Sequence, residues 1–286
     1  MKKTLAVIVA LGAVVAAAPT ASASARGASP DLYLLESDGS LSVRDAQRPL
    51  LAEHRVKVRG LKAHDRLVGI DVRPATGKLY AIAKSGQLYT LDVKSGRATA
   101  VGTPAAGALG SSVGIDFNPT VDRIRVVTSS GRNLRVHPDT GAVAATDVNL
   151  AYAAGGSAPR VAAAGYTDSF AGATSTGLYV LDAARDALAT QGTLPGATPV
   201  VSPNSGQLFP VGRLGRDISA VNGFDIFGKG RGSFNARDYD AIAAVRGGHG
   251  LFGGSQLVRV DLKTGRTSPL LALGLGDVVG LAYAAR

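Results

Sequence analysis

Three aspartates stand at one place in a repeated phrase: Asp71 and Asp116 each close VGID, at 68–71 and 113–116, and Asp225 stands in the near-copy NGFDI at 222–226. Carboxylates brought together from separate segments can hold a hard divalent cation such as calcium, which takes oxygen ligands. At strand ends the same groups can instead accept backbone N–H bonds or pair with an arginine of a neighbouring segment. The second candidate set is basic, with Arg123, Arg125, Asn133 and Arg135 in DRIRVVTSSGRNLRVH. Strand alternation sets Arg125 on the face opposite Ile124 and Val126, and Arg135 opposite Leu134 and Val136. Guanidinium groups on a packed face need acidic or carbonyl partners. Asp71, Asp116 and Asp147 are the acids available: paired with them the arginines form an inter-blade network, and unpaired they form an anion site. Lys229, Arg231 and Arg237 make a third group, in the glycine-rich stretch GKGRGSFNARD. Such a loop either grips an anion through amides and charge or is a solvated connection.

Other chemistry is poorly supplied. The chain has no cysteine and no tryptophan, which excludes disulfides, thiol catalysis and the strongest sugar-stacking side chain. Glu36 and Glu53 are its glutamates, so a glycosidase acid/base pair would come largely from aspartates, with Tyr80, Tyr89 and Tyr152 left to stack on sugars. Gly248-x-Gly250-x-x-Gly253 precedes a strand pattern where a dinucleotide site needs a helix. Gly110-Ser111-Ser112-Val113-Gly114 lacks the strand-to-helix elbow of a hydrolase nucleophile. His54, His64, His137 and His249 show no metal-ligand spacing.

The elements that must position these residues follow from the repeat. VGIDVRPATGKLYAIAKSGQLYTLDVKSGRATAVG at 68–102 aligns with VGIDFNPTVDRIRVVTSSGRNLRVHPDTGAVAATD at 113–147. Each copy divides into four short apolar runs broken by Asn-Pro, Ser-Gly and Thr-Gly turns. Four strands per unit at a period of roughly 40–50 residues is the pattern of a β-propeller blade. Two more blades run from AAAGYTD (162–168) to GQLFPVG (206–212) and from VNGFDIFG (221–228) to TSPLLAL (267–273). In the five opening strands the aspartate position is filled by Asp71, Asp116, Thr167, Asp225 and Ala282. The N-terminal DLYLLESDG, SLSVRD and LLAEHRVKV lack an opener, and the C-terminal VVGLAYA is an opener without a blade. Joined, they complete a fifth blade and close the ring. The fold expected is all-β, a propeller of five four-stranded blades closed by pairing of the two termini. Strands hidden between 192 and 221 would make it six. TLPGATPVVSPNS (193–205) and FGKGRGSFNARDYD (227–240) are long enough as coil to draw notice.

MKKTLAVIVALGAVVAAAPTASASA (1–25) has two lysines, an apolar run and Ala-x-Ala spacing, the features of a cleaved secretory signal peptide. One propeller domain then occupies 26–286, without a membrane span in the mature form, secreted or extracellular and monomeric. Loss of Lys2 and Lys3 lowers the formal charge from +10 to +8, which favours anionic surroundings. Basic residues are dispersed and nucleic-acid motifs are absent, so no nucleic-acid partner is expected. GIDVRPATGKLY, DRIRVVTSSGRNLRVHPDTG and GFDIFG resemble the bacterial secreted family catalogued as domain of unknown function 4394, across about 31–286. That resemblance carries no activity and no catalytic residue. The expectation for function is a binding module that recognises an anionic cell-wall polymer or glycan through Arg123, Arg125, Asn133, Arg135, Lys229 and Arg231, with no cofactor. The alternative is a metal-dependent hydrolase or lyase using Asp71, Asp116 and Asp225 around a divalent ion.

Overall fold

The computed structural model describes residues 29–104, 106–219, 223–230, 232–246, 254–272 and 277–285. Residues 1–25, read above as a signal peptide, Arg231, His249 and the glycine motif at 248–253 lie outside them. Among the described residues twenty strands form five four-stranded antiparallel blades, and one short strand is added to them. The first blade is β1 (Asp31–Glu36), β2 (Ser40–Asp45) and β3 (Arg48–Lys57), and its innermost strand comes from the far end of the chain. The second blade is β4 (Leu67–Val72), β5 (Leu79–Ala83), β6 (Leu88–Leu91) and β7 (Ala98–Val101). The third is β8 (Val113–Asn118), β9 (Arg123–Thr128), β10 (Asn133–Val136) and β11 (Val143–Thr146).

A short strand, β12 (Ala151–Tyr152), crosses to the fourth blade and pairs parallel with its outer strand. That blade is β13 (Val161–Tyr166), β14 (Leu178–Asp182), β15 (Ala187–Gln191) and β16 (Gln207–Arg213). The fifth is β17 (Gly223–Gly228), β18 (Tyr239–Val245), β19 (Gln256–Val260) and β20 (Thr267–Ala272). Finally β21 (Val278–Ala284) pairs antiparallel with β1, from Ala284 opposite Asp31 to Val278 opposite Glu36. The termini therefore close the ring. Between 192 and 221 the described residues hold a 3-10 turn at Pro203–Ser205 and β16, so no sixth blade is built.

The opening strands β4, β8, β13, β17 and β21 stand side by side around the axis. Their repeated glycine has a packing cause: a Cβ on Gly223 would lie 2.6 Å from Leu281 Cβ, and one on Gly114 would lie 2.7 Å from the Ala163 carbonyl carbon. Inner strands can approach so closely because those positions carry no side chain. Ile70, Ile115, Phe224 and Leu281 fill the space between them, leaving a residual void of about 10 Å³ on the axis. The centre is thus a packed plug, and its two ends are separate depressions. Apolar faces of adjacent blades supply the remaining core, as where Tyr80 meets Phe117 edge-on at 5.2 Å. Among the described residues no helix is long and apolar enough to cross a membrane.

Candidate functional site

Strand register fixes which residues are equivalent around the axis. Asp71 faces Tyr80, Asp116 faces Arg125, Asp225 faces Ile242 and Ala282 faces Tyr33 across their hairpins. In the fourth blade the residue facing Tyr179 is Gly165. Gly165, and not Thr167, therefore takes the aspartate position; matching the glycines of AAAGYTD and VGID had displaced that strand by two residues.

Three carboxylates serve five amides in this ring. The Val72 N–H donates to Asp71 Oδ1 at 2.7 Å and the Phe117 N–H to Asp71 Oδ2 at 2.6 Å. The Tyr166 N–H donates to Asp116 Oδ1 at 3.0 Å. Ile226 and Tyr283 donate to the two oxygens of Asp225, each at 2.6 Å. Each of these amides lies one residue past the aspartate position of its own blade. Where a blade has Gly165 or Ala282, the aspartate of a neighbour supplies the acceptor. The collar thus satisfies inner-strand donors that would otherwise be buried without partners.

The three carboxylates also converge, with one oxygen from each within 4.8 Å of the others. All three are buried. Burial, with the Asp225 charge beside it, pushes the Asp71 carboxyl well above the usual carboxylate range; burial and the charges of Asp71 and Asp225 do the same to Asp116. Burial raises Asp225 to about 7, against the N–H bonds from Tyr283 and Ile226. Protons are therefore held among these groups through the mildly acidic range. Among the described residues no amide donates to Asp116 Oδ2.

On the face where the inner strands end, a cup of about 530 Å³ opens over Asp71 and Asp225. Its wall is mostly apolar, with Tyr33, Phe170, Phe227 and Tyr283. Phe227 and Tyr283 lie with ring centroids 5.4 Å apart, and Lys229 sets its ammonium 4.5 Å from the centre of the Phe170 ring. The loop carrying Lys229 is held down by Asp168, which accepts the Gly230 N–H at 2.7 Å and the Tyr239 hydroxyl at 2.6 Å. Cation, aromatic rings and carboxylates thus come from two loops, the inner strands β4, β17 and β21, and β1.

Of the described basic residues singled out in sequence, Lys229 lines this cup, and Arg123, Arg125, Arg135 and the exposed Arg237 do not. Arg125, 2% exposed, donates to Asp147 Oδ2 at 2.6 Å, Asn133 Oδ1 at 2.7 Å, Asn204 Oδ1 at 2.7 Å and the Tyr166 hydroxyl at 3.3 Å. Arg135 grips the same Asp147 through two bonds of 2.9 Å. Burial pushes the Asp147 carboxyl up, and the bonds and charges of Arg135 and Arg125 more than reverse it, holding it below the usual range. This is the inter-blade network, with Asp147 as its acid and Asp71 and Asp116 left to the collar. Arg123 bonds instead to the carbonyls of Val121 and Asp122.

The tyrosines considered for sugar stacking are turned inward. Tyr80, Tyr89 and Tyr152 are each at most 5% exposed. Tyr152 donates to Asp182 and is covered by the Arg185 guanidinium, Tyr89 donates to Asp65, and Tyr80 accepts from Arg73. The cup's own aromatics escaped the sequence reading. Phe227 lies near the end of β17 and Phe170 four residues past the end of β13, positions that reading did not weigh. Arg73, which joins Asp122 and Asp139 across a blade boundary, was missed as well.

A family model described as domain of unknown function (DUF4394) matches residues 40–282. No match is found among curated proteins. Solved structures similar to this chain include PorZ, a surface component of the type-IX secretion system of Porphyromonas gingivalis, at 16% identity and a TM-score of 0.40. That match covers 82% of this chain and 26% of PorZ, so the chain spans about a quarter of it. The β-propeller domain of Myceliophteria thermophila Cps50 (Swd1) is similar at 13% identity and a TM-score of 0.39, covering 85% of this chain and 70% of that one. The dihydro-heme d1 dehydrogenase NirN is similar at 12% identity and a TM-score of 0.35, over 84% and 53%.

Proposed function

Because this chain belongs to the DUF4394 family, described only as a domain of unknown function, its role must be read from its site, and we propose that it is a propeller binding module acting outside the cell on an acidic glycan. One observation carries the reading: the cup over Asp71 and Asp225 joins an aromatic wall to the Lys229 ammonium. Sugar rings present C–H faces that lie on aromatic side chains, while their hydroxyls need polar groups at the floor. A carboxylate or sulfate substituent on the ring pairs with Lys229 at the rim. The basic formal charge of the chain supports capture of such a polymer, and the leader-like residues 1–25 support an extracellular site of action.

The test is calorimetric titration of the mature protein with oligogalacturonate, using a neutral cello-oligosaccharide as control. The reading predicts binding of the acidic ligand that weakens with added salt and falls about tenfold in Lys229→Gln and in Phe227→Ala. Equal binding of both sugars, or no change in either variant, rejects it. The convergence of Asp71, Asp116 and Asp225 favours a second reading, a metal-dependent hydrolase or lyase. A calcium ion takes six to eight oxygens, and here five of the six carboxylate oxygens already accept amides. Micromolar calcium binding that is lost in Asp116→Asn would bring that reading forward.

A further inference from the structure

The opposite mouth of the axis holds a second cavity, of about 260 Å³, where the inner strands begin. Leu67, Val68, Val278 and Val279 form its aliphatic wall, and Arg66, Lys84, Arg246 and one acid, Asp277, stand around it with Ser37 and Ser111. These come from four of the five blades: Arg66 precedes β4, Lys84 follows β5, Ser111 precedes β8, Arg246 follows β18 and Ser37 follows β1. From this we infer a second ligand site, specific for a small organic oxyanion, a phosphate monoester or a carboxylate with a short apolar body.

The charge balance selects an anion. Arg246 pairs with Asp277 at 2.8 Å. The other acids on this face are engaged elsewhere: Glu36 and Asp38 with Arg55 and Lys57, and Asp65 with Ser85 and Tyr89. Among the described residues neither Arg66 nor Lys84 has an acidic side-chain partner, so two cationic side chains stay uncompensated at the rim. A low-dielectric wall of leucine and valine beneath them concentrates their field into the opening. Guanidinium, ammonium and hydroxyl groups together are the donor set for a phosphate or carboxylate.

Cavity size and wall chemistry restrict the body of the ligand. A volume of 260 Å³ lies at the low end for ligand sites, room for an oxyanion and a few carbons. The hydrocarbon contacts Val68 and Val278 at the packed axis while the charge stays among the rim cations. This mouth is separated from the aromatic cup by the axial plug, so the two sites are occupied independently.

The inference is tested by amide chemical-shift mapping of the ¹⁵N-labelled full mature chain titrated with butyl phosphate, pentanoate and inorganic phosphate. Butyl phosphate or pentanoate shifts the amides of Val68, Ser111 and Val278 with roughly millimolar affinity, and inorganic phosphate binds more weakly because it lacks the apolar body. Whichever of the two organic anions binds tighter identifies the oxyanion. The double variant Arg66→Gln/Lys84→Gln, both exposed side chains, weakens binding about tenfold with its melting temperature unchanged. Lys229→Gln leaves it intact. Shifts at other basic surfaces only, equal affinity for inorganic phosphate, or unaltered binding in the double variant overturns the inference.

Discussion

Replacing Asp116 by asparagine raises stability at alkaline pH and leaves it nearly unchanged below about pH 4. The unfolded chain releases the collar protons near pH 3.8, whereas the folded chain holds that of Asp225 to about 7 and those of Asp71 and Asp116 well above the usual range. Between those limits the folded state binds more protons, so stability falls as pH rises, by about 1.4 kcal/mol per pH unit for each group. Over some three units Asp225 alone amounts to about 4 kcal/mol, an order-of-magnitude figure. Carboxylates with depressed pKa, such as Asp147, act in the opposite sense and lose their contribution in acid. The wild-type protein is therefore most stable near pH 4–5 by this reasoning.

Asp116 uses one oxygen for the Tyr166 amide. An asparagine keeps that acceptor and turns its NH₂ where the shared proton sat, so it mimics the neutral acid permanently. Each pH unit above 3.8 over which the folded state keeps the proton adds about 1.4 kcal/mol to the gain, or roughly 3–6 °C for a domain of this size. Asp225→Asn differs in acid, where it is destabilised by about 1–3 kcal/mol because both Asp225 oxygens accept amides and the new NH₂ faces one of those donors. Thermal unfolding of the three proteins from pH 4.5 to 9 reads the difference. Equal loss of stability in Asp116→Asn at pH 5 and pH 8 would refute the shared-proton collar.

Three further outcomes follow from the same contacts. Asp147→Ala leaves the buried Arg125 without its counter-charge, and denaturant titration should register a loss of about 3–5 kcal/mol. Gly223→Ala forces a Cβ to 2.6 Å from Leu281 Cβ; the inner strands separate, lowering stability by about 1–3 kcal/mol. Tyr239→Phe removes the hydroxyl that holds Asp168 Oδ2 in place while its Oδ1 accepts the Gly230 N–H, so amide exchange at Gly230 accelerates while the blades keep their protection.

Much of the fold was legible because a blade repeats its turn chemistry. VGID, the Ser-Gly and Thr-Gly breaks and the fourth-strand phrases marked the strands, and the unmatched ends of the chain implied ring closure. The Asp147 network was legible in part, since Arg125 on a packed face required an acid, though sequence alone left three to choose from. The place of Gly165 was lost because AAAGYTD also contains a glycine two residues late for the aligned position, and only hairpin register separates the two alignments. β12 has two residues and no apolar run. The aromatic cup draws Tyr33, Phe170, Phe227 and Tyr283 from points spread across the chain, and ring closure alone makes them neighbours. Periodicity within a blade carries no trace of such an assembly.

The most direct test of the account is a crystal structure of the mature protein soaked with an oligogalacturonate. The account predicts a sugar ring against Phe170, Phe227 and Tyr283 with its carboxylate at Lys229, above a collar whose five amide bonds are intact. A sugar bound on another face, or a metal ion at Asp71, Asp116 and Asp225 with those amide bonds broken, would contradict it.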